Sequence, residues 1–259
     1  MGMDELIDLF AEGDELVSNT AFEDLDLACD VANGATFDGV VFRSCEFDSV
    51  DWSGSTFRDV VFRGCRFIRC NMEGCWLNRC DFVDCSAPGL NLLRARLSSV
   101  SFTSCDLSYA NLSEGRIGPM AAHDTRLTEA AFQGAKLGQI RLDGCDLTRM
   151  DVFKTSLSGV DVSRCTFAAP VVSGDYHELR GLTVNAEQAL ALSGLLGIQL
   201  ADEQALWSFA RPLSKIKPSQ HLMIFRVCTI FIECCDGFWC KVACLFLAGY
   251  WLFSTATCG

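Results

Sequence analysis

The side chains of this chain that could hold a metal ion are thiols at regular intervals. Cys65, Cys70, Cys75 and Cys80 follow one another every five residues, among sixteen cysteines in all. Four thiolates can complete a tetrahedral zinc site. No histidine accompanies these four cysteines, however, and the same five-residue spacing continues far beyond them in the sequence. We therefore interpret these thiols as reduced, small apolar side chains and expect no metal ion and no disulfide.

The other residues that could do chemistry are scattered. The three histidines, His123, His177 and His221, lie far apart in sequence, and His123 is expected at the surface. The chain has no glycine-rich phosphate loop and no nucleophile motif, and the repeat described next accounts for the carboxylate pair Asp81 and Asp84. We therefore expect a non-enzymatic protein without a cofactor.

A five-residue period of large apolar side chains explains these spacings. Every fifth residue from Phe22 to Val172 is apolar, 31 positions without a break of phase. A period of five fits neither the 3.6 of a helix nor the 2 of a strand, so it indicates a repeat architecture. The predicted structural core includes Phe42, Phe47, Phe57, Phe62, Phe67, Phe82 and Phe102.

The repeat unit resembles the pentapeptide-repeat family, whose consensus is Ala-Asp/Asn-Leu-x-x. Cys70-Asn71-Met72-Glu73-Gly74 and Ala110-Asn111-Leu112-Ser113-Glu114 are examples. The resemblance implies an all-β fold, a right-handed quadrilateral β-helix with short terminal capping helices. Four pentapeptides would form each 20-residue coil. Stacked at the spacing of β-strands, the coils would form a rod roughly 36 Å long.

Residues 20 apart should then stack on one face, and the sequence satisfies this test. Three columns show it: one of phenylalanines, one of smaller apolar residues, and one of thiols with Thr125 in its single gap. They are Phe22, Phe42, Phe62, Phe82 and Phe102; Val40, Val60, Cys80, Val100, Met120, Ile140 and Val160; and Cys45, Cys65, Cys85, Cys105, Cys145 and Cys165.

Four segments are predicted: an N-terminal helical cap (1–19), the β-helix (20–172), a linker with a capping and dimerisation helix (173–202), and an apolar tail (203–259). Asn185 and Gln188 have the spacing of a capping box. We expect the helix to cover about 186–196, with Gly197 as its left-handed C′ residue.

The predicted cap sharpens the resemblance. Thr183-Val184-Asn185-Ala186-Glu187-Gln188-Ala189 and Leu195-Leu196-Gly197-Ile198 are similar to the cap of the bacterial, gyrase-interacting branch of the family, which includes fluoroquinolone-resistance proteins. That branch implies a DNA-mimicking homodimer that binds DNA gyrase or topoisomerase IV, inhibiting the enzyme, protecting it from the drug, or both. The dimer interface would be formed by Leu192, Leu195, Leu196 and Ile198.

Charge favours a basic partner and disfavours direct nucleic-acid binding, because the net charge is −12. One face carries five bases and two acids: Asp38, Arg58, Asp59, Arg79, Arg96, Arg116 and Lys136. Another carries seven acids and four bases: Glu23, Asp24, Asp81, Asp84, Asp124, Asp143, Asp161, Arg43, Arg63, Arg141 and Arg164. We expect Asp81, Asp84, Asp124, Asp143 and Asp161 to contact the partner; the alternative is that they are ordinary solvated charges.

The tail leaves three interpretations open. Residues 238–258 carry one charge, Lys241, and are long enough to span a bilayer. The tail could therefore be a membrane anchor, a packed extension, or a non-native extension of a shorter protein. Residues 1–21 are acidic and do not resemble a signal peptide, which predicts a cytoplasmic protein. The alternative function is a structural or scaffolding module, possibly held at a membrane.

Overall fold

The computed structural model describes residues 16–28 and 32–198, which form a right-handed solenoid of short parallel strands. Strands are numbered β1 to β17 in chain order. One sheet, face 1, contains β1 (Leu16–Ser18), β4 (Thr36–Asp38), β7 (Thr56–Arg58), β10 (Trp76–Asn78), β12 (Arg96–Ser98), β14 (Arg116–Ile117) and β16 (Lys136–Leu137).

The next face along the chain, face 2, is also a seven-stranded sheet. It contains β2 (Ala21–Glu23), β5 (Val41–Arg43), β8 (Val61–Arg63), β11 (Asp81–Val83), β13 (Val100–Thr103), β15 (Met120–His123) and β17 (Ile140–Asp143). Face 3 begins with β3 (Asp26–Ala28), β6 (Glu46–Asp48) and β9 (Arg66–Ile68), and continues as single bridges through Ser86, Asp106, Arg126 and Asp146. Face 4 consists of single bridges, among them those of Asp51, Asn71, Asn91 and Asn111.

The predicted coil-to-coil register is confirmed. Phe22, Phe42, Phe62, Phe82 and Phe102 form one stack, with ring centroids 4.7 to 5.2 Å apart. The seven predicted core phenylalanines are all buried. Because each ring packs against the same residue type one coil away, the apolar interior is continuous along the axis.

The thiols of the predicted column that contains Cys65 and Cys85 are more than small apolar side chains, because they donate hydrogen bonds. Cys65 Sγ lies 3.5 Å from the carbonyl oxygen of Phe42, and Cys85 Sγ lies 3.4 Å from that of Phe62. Thr125 Oγ1 lies 3.3 Å from the Phe102 oxygen in the same column. Each side chain thus satisfies a buried carbonyl on the preceding coil, which explains why Cys, Ser and Thr share this position.

The stack begins before residue 20, the predicted start of the β-helix segment. Val17 continues the five-residue phase, is 1% exposed, and lies in β1, which pairs with β4. The predicted helix within 1–19 lies in residues outside the described part of the chain.

Toward the C-terminus the stack opens on faces 1 and 2. No strand pairing joins β16 or β17 to the following coil among the described residues, while faces 3 and 4 continue with bridges such as Asp146 to Thr166. Leu137, Ile140 and Leu142, which the periodicity places inside, are therefore only partly buried. They line an apolar cavity of about 20 Å³.

The C-terminal helix α1 (Ala186–Ser193) closes the solenoid, followed by a 3₁₀ turn, Gly194–Leu196, and by Gly197 at φ 72°. The capping box of Asn185 and Gln188 is present as predicted. Gln188 is also buried, and its Nε2 donates to the carbonyl oxygens of Val162 (2.9 Å) and Cys165 (2.7 Å). The same side chain therefore begins the helix and caps the last coil.

Within residues 16–28 and 32–198, no helix is both long and apolar enough to cross a membrane. The tail interpretations concern residues outside the described part of the chain and stay predictions.

Candidate protein-binding surfaces

The five predicted recognition carboxylates lie on face 2. Asp81 begins β11, and Asp143 ends β17. Asp84 and Asp124 each lie two residues after a buried centre, with φ values of 54° and 47°. This left-handed conformation recurs at the same place in most units and favours Gly, Asn and Asp there. Four of these side chains are exposed, and Asp143 is half-buried.

The five carboxylates differ in how far neighbouring side chains compensate their charge. Asp143 pairs with Arg164 Nε at 2.9 Å and His123 Nδ1 at 3.3 Å, so its charge is largely compensated. His123 is exposed, as expected, and its Nε2 lies 3.1 Å from Asp124. Hydrogen bonds from Ser163 hold the pKa of Asp161 below its usual range.

Asp84 and Asp124 face a shallow groove between faces 2 and 3. Asp84 makes no ion pair with the described residues, and Asp124 pairs with no Arg or Lys among them. The groove is lined by Asp84, Cys85, Ser86, Ser104, Cys105, Asp106, Asp124 and Arg126. An open, acidic groove of this kind suits a basic macromolecular surface better than an enclosed small ligand.

The predicted dimer residues lie at the C-terminal end but differ in exposure. Leu192 packs against the core, and Leu195 is half-buried, whereas Leu196 and Ile198 are 61% and 53% exposed. Leu190, 51% exposed, was not predicted. Its exposure could have been predicted from the sequence. Gln188 and Leu192 are four residues apart and face the solenoid, so residue 190 lies on the opposite, outer side of the helix.

The four thiols considered for zinc lie buried at successive corners of one coil. Burial raises the pKa of Cys70 and Cys80 to about 11 and that of Cys75 to about 12. Cys70, Cys75 and Cys80 are therefore protonated near neutral pH, a state that disfavours metal binding. Hydrogen bonds with Cys45 and Cys85 lower the pKa of Cys65.

A polar cluster that the sequence did not reveal lies beside the last coil. His177 Nδ1 is 2.8 Å from Asp175 Oδ1 and 3.0 Å from Ser173 Oγ, and the fully buried Glu178 is 2.7 Å from the same hydroxyl. Serine and aspartate approach the same ring nitrogen, whereas a catalytic triad needs them on opposite nitrogens. The hydrogen bond to Asp175 raises the pKa of His177.

Comparison with known proteins agrees with this architecture. Sequence models match three stretches: "Pentapeptide repeats (9 copies)" at residues 32–76, "Pentapeptide repeat region" at 55–121, and "Pentapeptide repeats (8 copies)" at 125–168. Together they cover more than half of the chain. The chain belongs to the pentapeptide-repeat family. No curated protein matches it.

The solved structures that match this chain include those of HetL and QnrB1. HetL, a pentapeptide-repeat protein involved in heterocyst differentiation regulation in the cyanobacterium Nostoc, matches with a TM-score of 0.53 at 16% identity, over 71% of this chain and 93% of HetL. A trypsin-treated QnrB1, a plasmid-mediated fluoroquinolone resistance protein, matches with a TM-score of 0.42 at 21% identity, over 75% of this chain and 94% of that chain. At these identities the HetL match shows the fold alone.

Proposed function

We propose that this pentapeptide-repeat protein is a non-enzymatic DNA mimic that binds a bacterial type II topoisomerase, DNA gyrase or topoisomerase IV. The observation that carries the proposal is the acidic groove between faces 2 and 3. There Asp84 and Asp124 are exposed and, within the described part of the chain, unpaired with arginine or lysine, on a protein of net charge −12. The resemblance of the capping segment to the gyrase-interacting branch supports the same partner.

The mechanism would be competition for the surface that binds DNA. That surface is basic because it contacts phosphates. Fixed carboxylates on a rigid solenoid would occupy it without ordering a flexible chain, which lowers the entropic cost of binding. The enzyme would be inhibited, protected from a fluoroquinolone, or both. The proposal places the protein in the cytoplasm.

A homodimer joined through the C-terminal cap belongs to the same proposal. Leu190, Leu196 and Ile198 leave an exposed apolar surface at the C-terminal end of the described solenoid. Covering that surface with a second copy would remove it from water. The two solenoids would then present a continuous acidic surface.

A supercoiling assay with DNA gyrase, with and without a fluoroquinolone, tests the proposal. The full chain should inhibit supercoiling or restore activity in the presence of the drug. Asp84→Lys with Asp124→Lys should remove the effect. Asp26→Lys with Glu114→Lys, exposed acids on faces 3 and 4 without ion pairs to described residues, makes the same charge change and should retain it.

If the folded full chain has no effect on gyrase or topoisomerase IV, the topoisomerase proposal is wrong. The scaffold interpretation would then be preferred. Equal losses in both double variants would show that total charge, and not the groove, determines binding.

A further inference from the structure

Most ion pairs of the solenoid follow one rule: a base pairs with an acid on the preceding coil. Among the described residues, eight arginines obey it, each lying one coil after its partner. The pairs are Arg58–Asp38, Arg66–Glu46, Arg69–Asp48, Arg79–Asp59, Arg94–Glu73, Arg126–Asp106, Arg149–Glu129 and Arg164–Asp143.

A row of three bases on face 1 breaks this rule. Arg96, Arg116 and Lys136, here called the cation row, lie in direct register on β12, β14 and β16. Neighbouring members are therefore about 4.8 Å apart along the axis. All three are exposed, and none pairs with an acid of the described residues. Like charges in register destabilise a sheet, so the row lowers the stability of the solenoid.

Another stack of like charges differs from the cation row because an acid lies in register with it. Arg43 and Arg63 are also in register on face 2, but Glu23 lies in register with Arg43 on the preceding coil. The cation row has no such acid, because Trp76 occupies the position before Arg96.

The surface beside the cation row is flat. Ser98, Gly118 and Gly138 form the neighbouring column. A Cβ atom at Gly118 would lie 3.1 Å from the Leu97 oxygen, and one at Gly138 would lie 3.3 Å from the Gly118 Cα, so larger side chains are disfavoured. The backbone of a ligand can therefore approach this strip closely. At one end of the row, Trp76 is 41% exposed and offers an apolar contact.

We infer that the cation row binds an extended, acidic polypeptide segment of a partner protein. The ends of the row are about 10 Å apart, too far for one small anion to neutralise both. Carboxylates spaced along an extended chain can reach all three bases, while the glycine strip accommodates the backbone. A nucleic acid is a poorer fit, because its phosphates are closely spaced and continue beyond the three cations, where each is repelled by a protein of net charge −12. A peptide can carry its few carboxylates opposite the row alone.

This surface is separate from the acidic groove of the proposed function. Face 1 carries the cation row, and the groove lies between faces 2 and 3. One solenoid could thus hold a basic partner and an acidic partner at the same time. The inference does not depend on the topoisomerase proposal.

The test measures binding of the full chain to a fluorescent peptide of alternating Glu and Gly, long enough to span the row, by anisotropy at low salt. Arg96→Ser, Arg116→Ser and Lys136→Ser together should weaken binding at least about 10-fold. The control is Arg43→Ser, Arg63→Ser and Arg141→Ser, which removes three exposed bases of face 2 and should change binding by less than about 2-fold. Physiological salt should weaken wild-type binding, as expected for exposed charges.

Three results would overturn the inference. One is that the wild type does not bind the peptide at about 100 μM, and another is that the two triple variants lose binding equally. The third is an oligonucleotide of equal charge that binds more tightly than the peptide and loses that binding in the cation-row variant. Circular dichroism and thermal unfolding establish that both variants fold. Loss of gyrase inhibition would not be expected in the cation-row variant, so the two proposals fail separately.

Discussion

The carboxylate of Glu178 accepts a hydrogen bond from the backbone N–H of Lys154 at 2.9 Å. One coil earlier, the N–H of Gly134 donates to the carbonyl of Phe153, as the regular ladder requires. Glu178 thus replaces the carbonyl that a further coil would supply. It also accepts hydrogen bonds from the backbone and hydroxyl of Ser173. A buried side chain therefore completes hydrogen bonds that the end of the repeat would leave open.

Replacing Glu178 by leucine should lower the free energy of unfolding by about 1–3 kcal/mol, because the Lys154 and Ser173 amides lose a buried acceptor. Urea unfolding measures the change. Glu187→Leu, on the exposed side of α1, is the matched control and should lie within about 0.5 kcal/mol of the wild type. Equal effects of the two substitutions would refute the capping role.

Stability should depend on pH through His177. Asp175 raises the pKa of His177 in the folded protein. This stabilisation is present below the unfolded pKa, about 6.5, and is lost as pH rises through the higher folded value. The melting temperature should therefore fall between pH 6 and pH 9, and less so in Asp175→Asn. Parallel profiles for the two proteins would contradict the prediction.

Charge reversal in the cation row should stabilise the solenoid. Arg116→Glu places an acid between Arg96 and Lys136 in register, which we expect to add about 0.5 kcal/mol to the free energy of unfolding. Arg126→Glu is the opposite case, because bridges place Arg126 between Asp106 and Asp146, and it should destabilise. Denaturant unfolding at low salt distinguishes the two. If both variants shift stability in the same direction, register pairing does not control it.

Association through the C-terminal cap predicts a change of oligomeric state. Leu196→Glu with Ile198→Glu should raise the dimer dissociation constant at least about 10-fold, because two charges would be buried in an apolar interface. Sedimentation velocity gives the result. Tyr109→Glu changes a comparably exposed residue, 61%, on the side of the solenoid and should leave association unchanged. A wild-type monomer would exclude this interface.

The fold was predictable because its register is local. Phe62 stacks on Phe42 and Phe82 at a fixed separation of one coil, so periodicity alone identifies the interior. The same separation could have shown that Arg164 compensates Asp143 on the preceding coil, which the face-by-face count of charges did not consider. Leu142 is different. Its partial exposure follows from the opening of the stack after β17, which no five-residue pattern encodes.

The end cap was only partly predictable. Asn185 and Gln188 matched a known capping signal, which depends on residues three apart. Glu178 had no such signal, since its role depends on the amide of Lys154, which lies more than one coil earlier in the chain. Contacts that replace a missing coil depend on where the repeat ends in space, so no short sequence pattern predicts them.

The stacking of coils in register also limits how this gene can change length. Inserting or deleting a single pentapeptide would keep the apolar interior in phase but turn every following residue by a quarter of the rod. The ion pairs across that point would be lost. If the change fell between Arg96 and Arg116, then Arg116 and Lys136 would move to a different face from Arg96. Duplicating a full coil would preserve both interior and surface. Length variants that keep the surface function should therefore differ by whole coils, never by a fraction of one.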